Sequence, residues 1–237
     1  MKSAIDRIDK HTNSFKMPVQ HHKFRKRDFT MAEDPIQQLI DYFSQLTLQE
    51  LNKQFGDKGG PLHKLFTRQF KIHYNNYENM LRDPIAKRHG VNSLFVMALD
   101  DVMCEVRASF NELKETVISI YRAMLQDFFK AEVAALEQSV NPWEAFVEWA
   151  RKGNEANYND EHFQVVEVDQ EEGCFGFDIQ KCLYFDILRE AGKPELGPIL
   201  CDYENILADV IESWIGFTRH ETIASGDKRC TFRYCKQ

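Results

Sequence analysis

The sequence predicts an α+β fold, with an N-terminal helical half packed against a C-terminal antiparallel sheet. Three observations carry this. Apolar residues recur at helical spacing from about residue 33 to residue 155. From His162 onward the period shortens to that of strands. Near the end, aromatic and β-branched runs at 214–223 and 230–234 flank the glycine-bearing loop 224–228, as a hairpin needs.

Residues 1–31 are polar and basic: Lys2, Arg7, Lys10, Lys16, Lys23, Arg25, Lys26 and Arg27 face only Asp6, Asp9 and Asp28. They read as a basic N-terminal extension, a solvated arm lying on an acidic body. His21 and His22 are adjacent, without a companion at ligand spacing, and make no metal motif. Residues 32–237 are expected to form one domain, helical over 32–155 and sheet-containing over 160–237.

A first helix is expected over 33–55, capped by Asp34 with Pro35 in its first turn and a stripe of Ile36, Leu39, Ile40, Phe43 and Leu46. A second runs from Pro61 to about Leu81, and Asp83-Pro84 closes it. His63 and His73 on this helix read as polar-face or packed residues. The apolar pattern of 91–138 is too long for one ordinary helix, so a break is expected near 109–112. Cys104 within it reads as packing. Asn141, Pro142 and Glu144 have the spacing of a capping box opening a short helix that Gly153 ends. Two strands follow around Val165–Val168 and Cys174–Ile179, joined by a turn at 169–173. Helical spacing returns over 179–191, with Gly192 as the stop and Pro194 just beyond. Another helix starts near Pro194 and ends close to Cys201, Asp202 and Glu204.

In the hairpin, side chains alternate. Ile215, Phe217, Arg219, Glu221 and Ile223 share a face, and His220 takes the other. On the return strand Cys230, Phe232 and Tyr234 share a face opposite Thr231, Arg233 and Cys235. The pattern leaves open which face is buried.

At 237 residues with 43% hydrophobic content the chain can bury a sizeable core. A net charge of -7 argues against generic nucleic-acid binding. No apolar run reaches the roughly 20 residues of a membrane span, and the N-terminus lacks a signal-peptide core, so a cytoplasmic location is expected. Six cysteines without secretory features read as thiols rather than a disulfide framework. The long apolar helix faces leave room for a homo-oligomer.

The C-terminal third gathers the chemistry. A cysteine-aromatic helix from Cys182 leads to the Gly-x-Pro-Glu-Leu-type turn and then to Cys201 followed by acids. The block Phe217, Arg219, Thr222, Ile223, Gly226, Asp227, Cys230 and Phe232 completes the pattern. Over roughly 174–235 it resembles the L-2-amino-thiazoline-4-carboxylic acid hydrolase family. Glu204 stands three residues after the second cysteine, where that family more often carries Asp. The resemblance implies hydrolysis of a small sulfur-containing cyclic amidine, with no obligatory cofactor.

Such a reaction needs a nucleophile at the amidine carbon, stabilisation of the tetrahedral species and a proton for the leaving atom. Candidate catalytic residues are Cys182, Cys201 and Cys230 as thiolates, and Asp202 or Glu204 as the acid/base or the grip on the amidine. Candidate substrate-binding residues are Arg219, whose fork suits a carboxylate, and His220. His162 is a further candidate base. The three cysteines lack the tight spacings of zinc motifs, so no metal is expected. The competing reading is a non-catalytic small-molecule-binding or redox-sensing module using the same cysteine-rich pocket.

Overall fold

The computed structural model describes residues 34–237. The basic extension with His21 and His22 lies outside the described residues. Among them the chain forms eight α-helices, mostly N-terminal, and one four-stranded antiparallel sheet. The α+β expectation is met. No helix among the described residues is long and apolar enough to cross a membrane.

Helix α1 (Pro35–Phe55) opens as expected: the Asp34 carboxylate accepts from the Ile36 N–H, and Pro35 fills the first position. Helix α2 (Gly59–Tyr77) lies beside it. Asp83-Pro84 does not close this helix. It opens α3 (Pro84–Glu105), because Asp83 Oδ1 accepts from both the Ile85 and Ala86 N–H groups and Pro84 needs no donor there. Helix α3 is buried on every side from His89 to Leu99, which explains why its sequence shows no single apolar stripe. It is the axis of the helical half, touching α1, α2 and later helices. Phe95 stacks on Phe43 at 4.6 Å between ring centroids and meets Tyr121 edge-on at 5.8 Å.

The expected break in the long pattern falls at 106–109, where Arg107 takes a positive φ of 56°. Helix α4 (Phe110–Glu137) then starts with a full capping box between Ser109 and Glu112. Helix α5 (Pro142–Asn157) follows Asn141, whose side chain makes no capping hydrogen bond. Gly153 does not end α5: the helix continues one more turn to Asn157.

Strands β1 (Val165–Val168) and β2 (Cys174–Ile179) pair antiparallel. The helix expected over 179–191 is shorter, because Ile179 still belongs to β2. Helix α6 (Leu183–Glu190) begins with Cys182 as its cap residue. Gly192 follows it at a φ of 69°, a stop that glycine adopts without strain. Helices α7 (Gly197–Asp202) and α8 (Asn205–Ile211) are separated by a two-residue joint, Tyr203 and Glu204.

Strand β3 (Ile215–Thr218) ends five residues earlier than the pattern suggested. Beyond it, Thr231 Oγ1 accepts from the N–H groups of His220 and Glu221, replacing ladder bonds, and a 3₁₀ turn covers 223–225. Strand β4 (Cys230–Lys236) runs between β3 and β2, giving the order β1-β2-β4-β3. The register sets Phe177 opposite Phe232 and Phe175 opposite Tyr234. Phe175, Phe177, Ile179, Cys230, Phe232 and Tyr234 therefore form one buried apolar face. Phe146 of α5 meets it, edge-on to Tyr234 at 5.3 Å.

The same register sets Cys174 opposite Cys235, and the two form a disulfide with a Cα–Cα distance of 4.1 Å. The expectation that every cysteine is a thiol fails at this pair, which a sequence separation of 61 concealed. Replacing both by alanine should lower the unfolding free energy by about 2–4 kcal/mol through the loop entropy released. Urea denaturation of wild type and variant measures this. Coincident midpoints would show that the bond constrains nothing.

Candidate functional site

Cys182 at the head of α6, Cys201 on α7 and Cys230 at the start of β4 line one small cavity together with Glu204. The sequence thus brought the three thiols and one acid to a single place. Packing here is close. A Cβ on Gly197 would lie 2.9 Å from both Ala224 Cβ and Phe185 Cδ2, so only glycine lets α7 sit against the turn at 223–225. The cavity holds about 30 Å³, room for one or two waters.

A larger cleft of about 200 Å³ lies between α3, α4, α5, α8 and the apolar sheet face. Glu204, Tyr158, Tyr184 and Phe232 line both spaces and so mark their junction. Glu204 is the one carboxylate in either lining. Its side chain retains 21% of its surface. Burial pushes its carboxyl up to about 7, against the downward pull of Arg219.

Arg219 lines neither space. It pairs with Glu204 from Nη1 and donates from Nη2 to the Cys201 carbonyl at 2.9 Å, with its guanidinium over the Phe232 ring at 5.6 Å. The expected clamp on a substrate carboxylate is instead occupied inside the protein, orienting Glu204. Asp202 also turns away: it pairs with Lys114 at 2.6 Å and lines neither cavity. His220 is exposed and outside both linings. His162 is bound to Asp83 at 2.5 Å. Arg219 and His220 do fall on opposite sides, as alternation implied, although β3 ends before them.

The thiols are held protonated. Burial raises Cys182 well above the usual thiol range, and the nearby sulfurs and Glu204 add to it. Burial and the Glu204 charge push Cys201 up to about 12, with Arg219 opposing. Burial also raises Cys230, whose sulfur accepts the Ile223 N–H at 3.3 Å. The cleft wall carries a neutral relay. His89 Nε2 lies 2.7 Å from the Asn157 carbonyl and so bears the proton, while Nδ1 accepts from Tyr184 Oη at 2.6 Å. Burial lowers His89 to about 4, in keeping with a neutral ring. Tyr203 Oη stands 3.2 Å from Tyr184 Oη and supplies the next donor.

Sequence reasoning missed Arg88, His89 and Asn92. Arg88 lines the cleft and donates to Asn157 Oδ1 at 2.9 Å. Asn92 Oδ1 accepts from Tyr121 Oη at 2.7 Å. The available signal was a His and an Asn one helical turn apart ahead of a wholly apolar helix. Among the described residues, the group of three with ligand atoms all within 4.8 Å is Asp83, Glu161 and His162, apart from both linings. It does not include the cavity sulfurs.

Residues 92–234 match the family model described as L-2-amino-thiazoline-4-carboxylic acid hydrolase. The match reaches back from the C-terminal block through α4 and most of α3, further than the sequence pattern alone had indicated. No curated protein and no solved structure matches the chain.

In the native protein near pH 7.5, a disulfide-forming thiol reagent should label Cys104, which is exposed, well before the cavity thiols. Those should react only as the protein unfolds. Mass spectrometry of labelled peptides checks the order, and rapid native labelling of Cys201 would contradict the protonation argued above.

Proposed function

Since the chain belongs to the L-2-amino-thiazoline-4-carboxylic acid hydrolase family, we propose that it opens a small cyclic amidine carboxylate by attack of water on the amidine carbon, with Glu204 as general base. One observation carries the reading. A largely buried carboxyl with a pKa near neutrality lines the junction of a water-sized cavity and a ligand-sized cleft.

The parts fit the chemistry. Tyr158, Tyr184 and Phe232 at the junction offer aromatic faces to a protonated amidine beside one carboxylate. Arg88, steadied by Asn157, is the cation in the cleft lining and suits the substrate carboxylate. A water in the small cavity would stand next to Glu204. Ionised Glu204 takes a proton from that water, and the oxygen bonds to the amidine carbon. The tetrahedral carbon then expels one ring heteroatom, sulfur or nitrogen. The proton on Glu204 passes to that atom, leaving a carbamoyl cysteine type of product.

A cysteine nucleophile is the less favoured reading, since little of any cavity thiol would be ionised. Burial disfavours ionising all three cavity thiols, and Cys201 stands at about 12. Their role on this reading is to shape a narrow, weakly polar chamber for the water.

Release of free thiol from 2-amino-thiazoline-4-carboxylate, or of its carbamoyl product, followed with time, tests the activity directly. Binding without turnover would favour a sensory module. The value of kcat/KM should rise with pH through about 7 as Glu204 loses its proton, and Glu204→Gln should lose that limb together with about 100-fold or more in kcat. Cys201→Ser and Cys230→Ser should stay within about tenfold of wild type if water attacks. A complete loss in either, with circular dichroism unchanged, would restore the thiolate. Arg88→Lys should raise KM by about tenfold or more while altering kcat less, because an ammonium replaces a bidentate fork.

A further inference from the structure

The cleft is built for more than one small ring with an amino and a carboxyl group. Its volume of about 200 Å³ accepts on the order of ten or more water-sized groups. Among the residues that line the cleft and not the small cavity, Arg88, His89, Asn92, Asn154 and Asn157 supply the polar part, while Leu125, Phe128 and Phe129 of α4, Trp149 and Ala150 of α5 and Leu207 of α8 make an apolar group. All of this group but Leu125 are only half-buried, so they form a wall reachable by a ligand. The charged groups of the lining are Arg88 and Glu204, with His89 neutral. A small polar substrate would leave this aromatic wall in contact with water, although apolar ligand surface would be drawn to it.

Resting on the hydrolase reading above, we propose that the preferred substrate is a cyclic amidine carboxylate carrying an aryl substituent. Its reacting ring sits at Glu204, its carboxylate on Arg88 and its aryl group against α4 and α5. Aromatic rings of the lining favour a flat aryl group over a flexible alkyl chain, through offset or edge-on ring contacts. This defines the class of compound the site selects and leaves the ring-opening chemistry unchanged.

Calorimetric titration of the full chain with 2-amino-thiazoline-4-carboxylate and with its 5-phenyl derivative tests the inference. The phenyl compound should bind on the order of tenfold or more tightly, from burial of one further ring. Ala150→Trp, which places an indole in the apolar part of the cleft, should bring the ratio of the two affinities to about one. Leu207→Trp serves the same purpose should Ala150→Trp fail to fold. Equal or weaker binding of the phenyl compound, no binding of either, or a preference that survives both substitutions overturns the inference. Turnover is read separately. Hydrolysis of neither compound refutes the mechanism built on Glu204, while the affinity ratio still decides the substrate class. Hydrolysis of the unsubstituted ring without tighter binding of the phenyl compound refutes the aryl preference alone.

Discussion

A carboxylate and a guanidinium that leave water together impose the central constraint on this molecule. Glu204 occupies the joint between α7 and α8, and Arg219 follows the last residue of β3. Removing such charges from water costs several kcal/mol for each ion, and close, well-directed pairing is needed to offset it. Arg219 meets that demand through Glu204, the Cys201 carbonyl and the Phe232 ring. The geometry then propagates. The chain must leave the sheet at Thr218 for the guanidinium to turn inward, so Thr231 takes over the N–H groups that the ladder abandons. That detour carries the chain to the turn packed on Gly197, which closes the thiol-lined cavity. The helical half and the sheet meet here as well as where Phe146 of α5 packs on the sheet face.

Much of this was legible in the sequence because the signals were local. Asp34-Pro35 and Gly192 each state a chain boundary within a few residues, and each acts at the place it marks. The alternation of Cys230, Phe232 and Tyr234 survives because β4 is paired with β2 along all of 230–235. Signals that could be read in either direction went astray. Asp83-Pro84 is equally good punctuation for an ending and a beginning, and hydrogen bonds to Ile85 and Ala86 decide for the latter. Gly153 is tolerated inside α5, where it lines the cleft.

The site was legible in outline. Cys182, Cys201, Cys230 and Glu204 do converge, on elements whose order in the chain is simple. Telling Asp202 from Glu204 needed the phase of a helix end: Asp202 pairs with Lys114, while Glu204 lines the cavity. Arg88, His89 and Tyr184 escaped notice for another reason. Their meaning depends on contacts over sequence separations as large as 95 residues, which no local pattern encodes. What emerges is a chamber with one group poised to titrate near neutrality. The surrounding histidine, tyrosines and thiols are held neutral by burial, so a change of protonation there is concentrated on a single carboxyl.

Strand β4 carries two sulfurs of opposite fate. Cys230 faces the chamber, while Cys235, an odd number of positions along, faces away and is already bonded to Cys174. The parity of a paired strand therefore acts as an insulator between them. Exchange of the Cys174–Cys235 bond with Cys230 would require β4 to peel from both neighbours, since no rotation of side chains can bring the sulfurs to the same side. An oxidant or reductant acting on the outer bond leaves the inner thiols chemically unaddressed, and the molecule can sit in surroundings of shifting redox poise without reshuffling the lining of its own chamber.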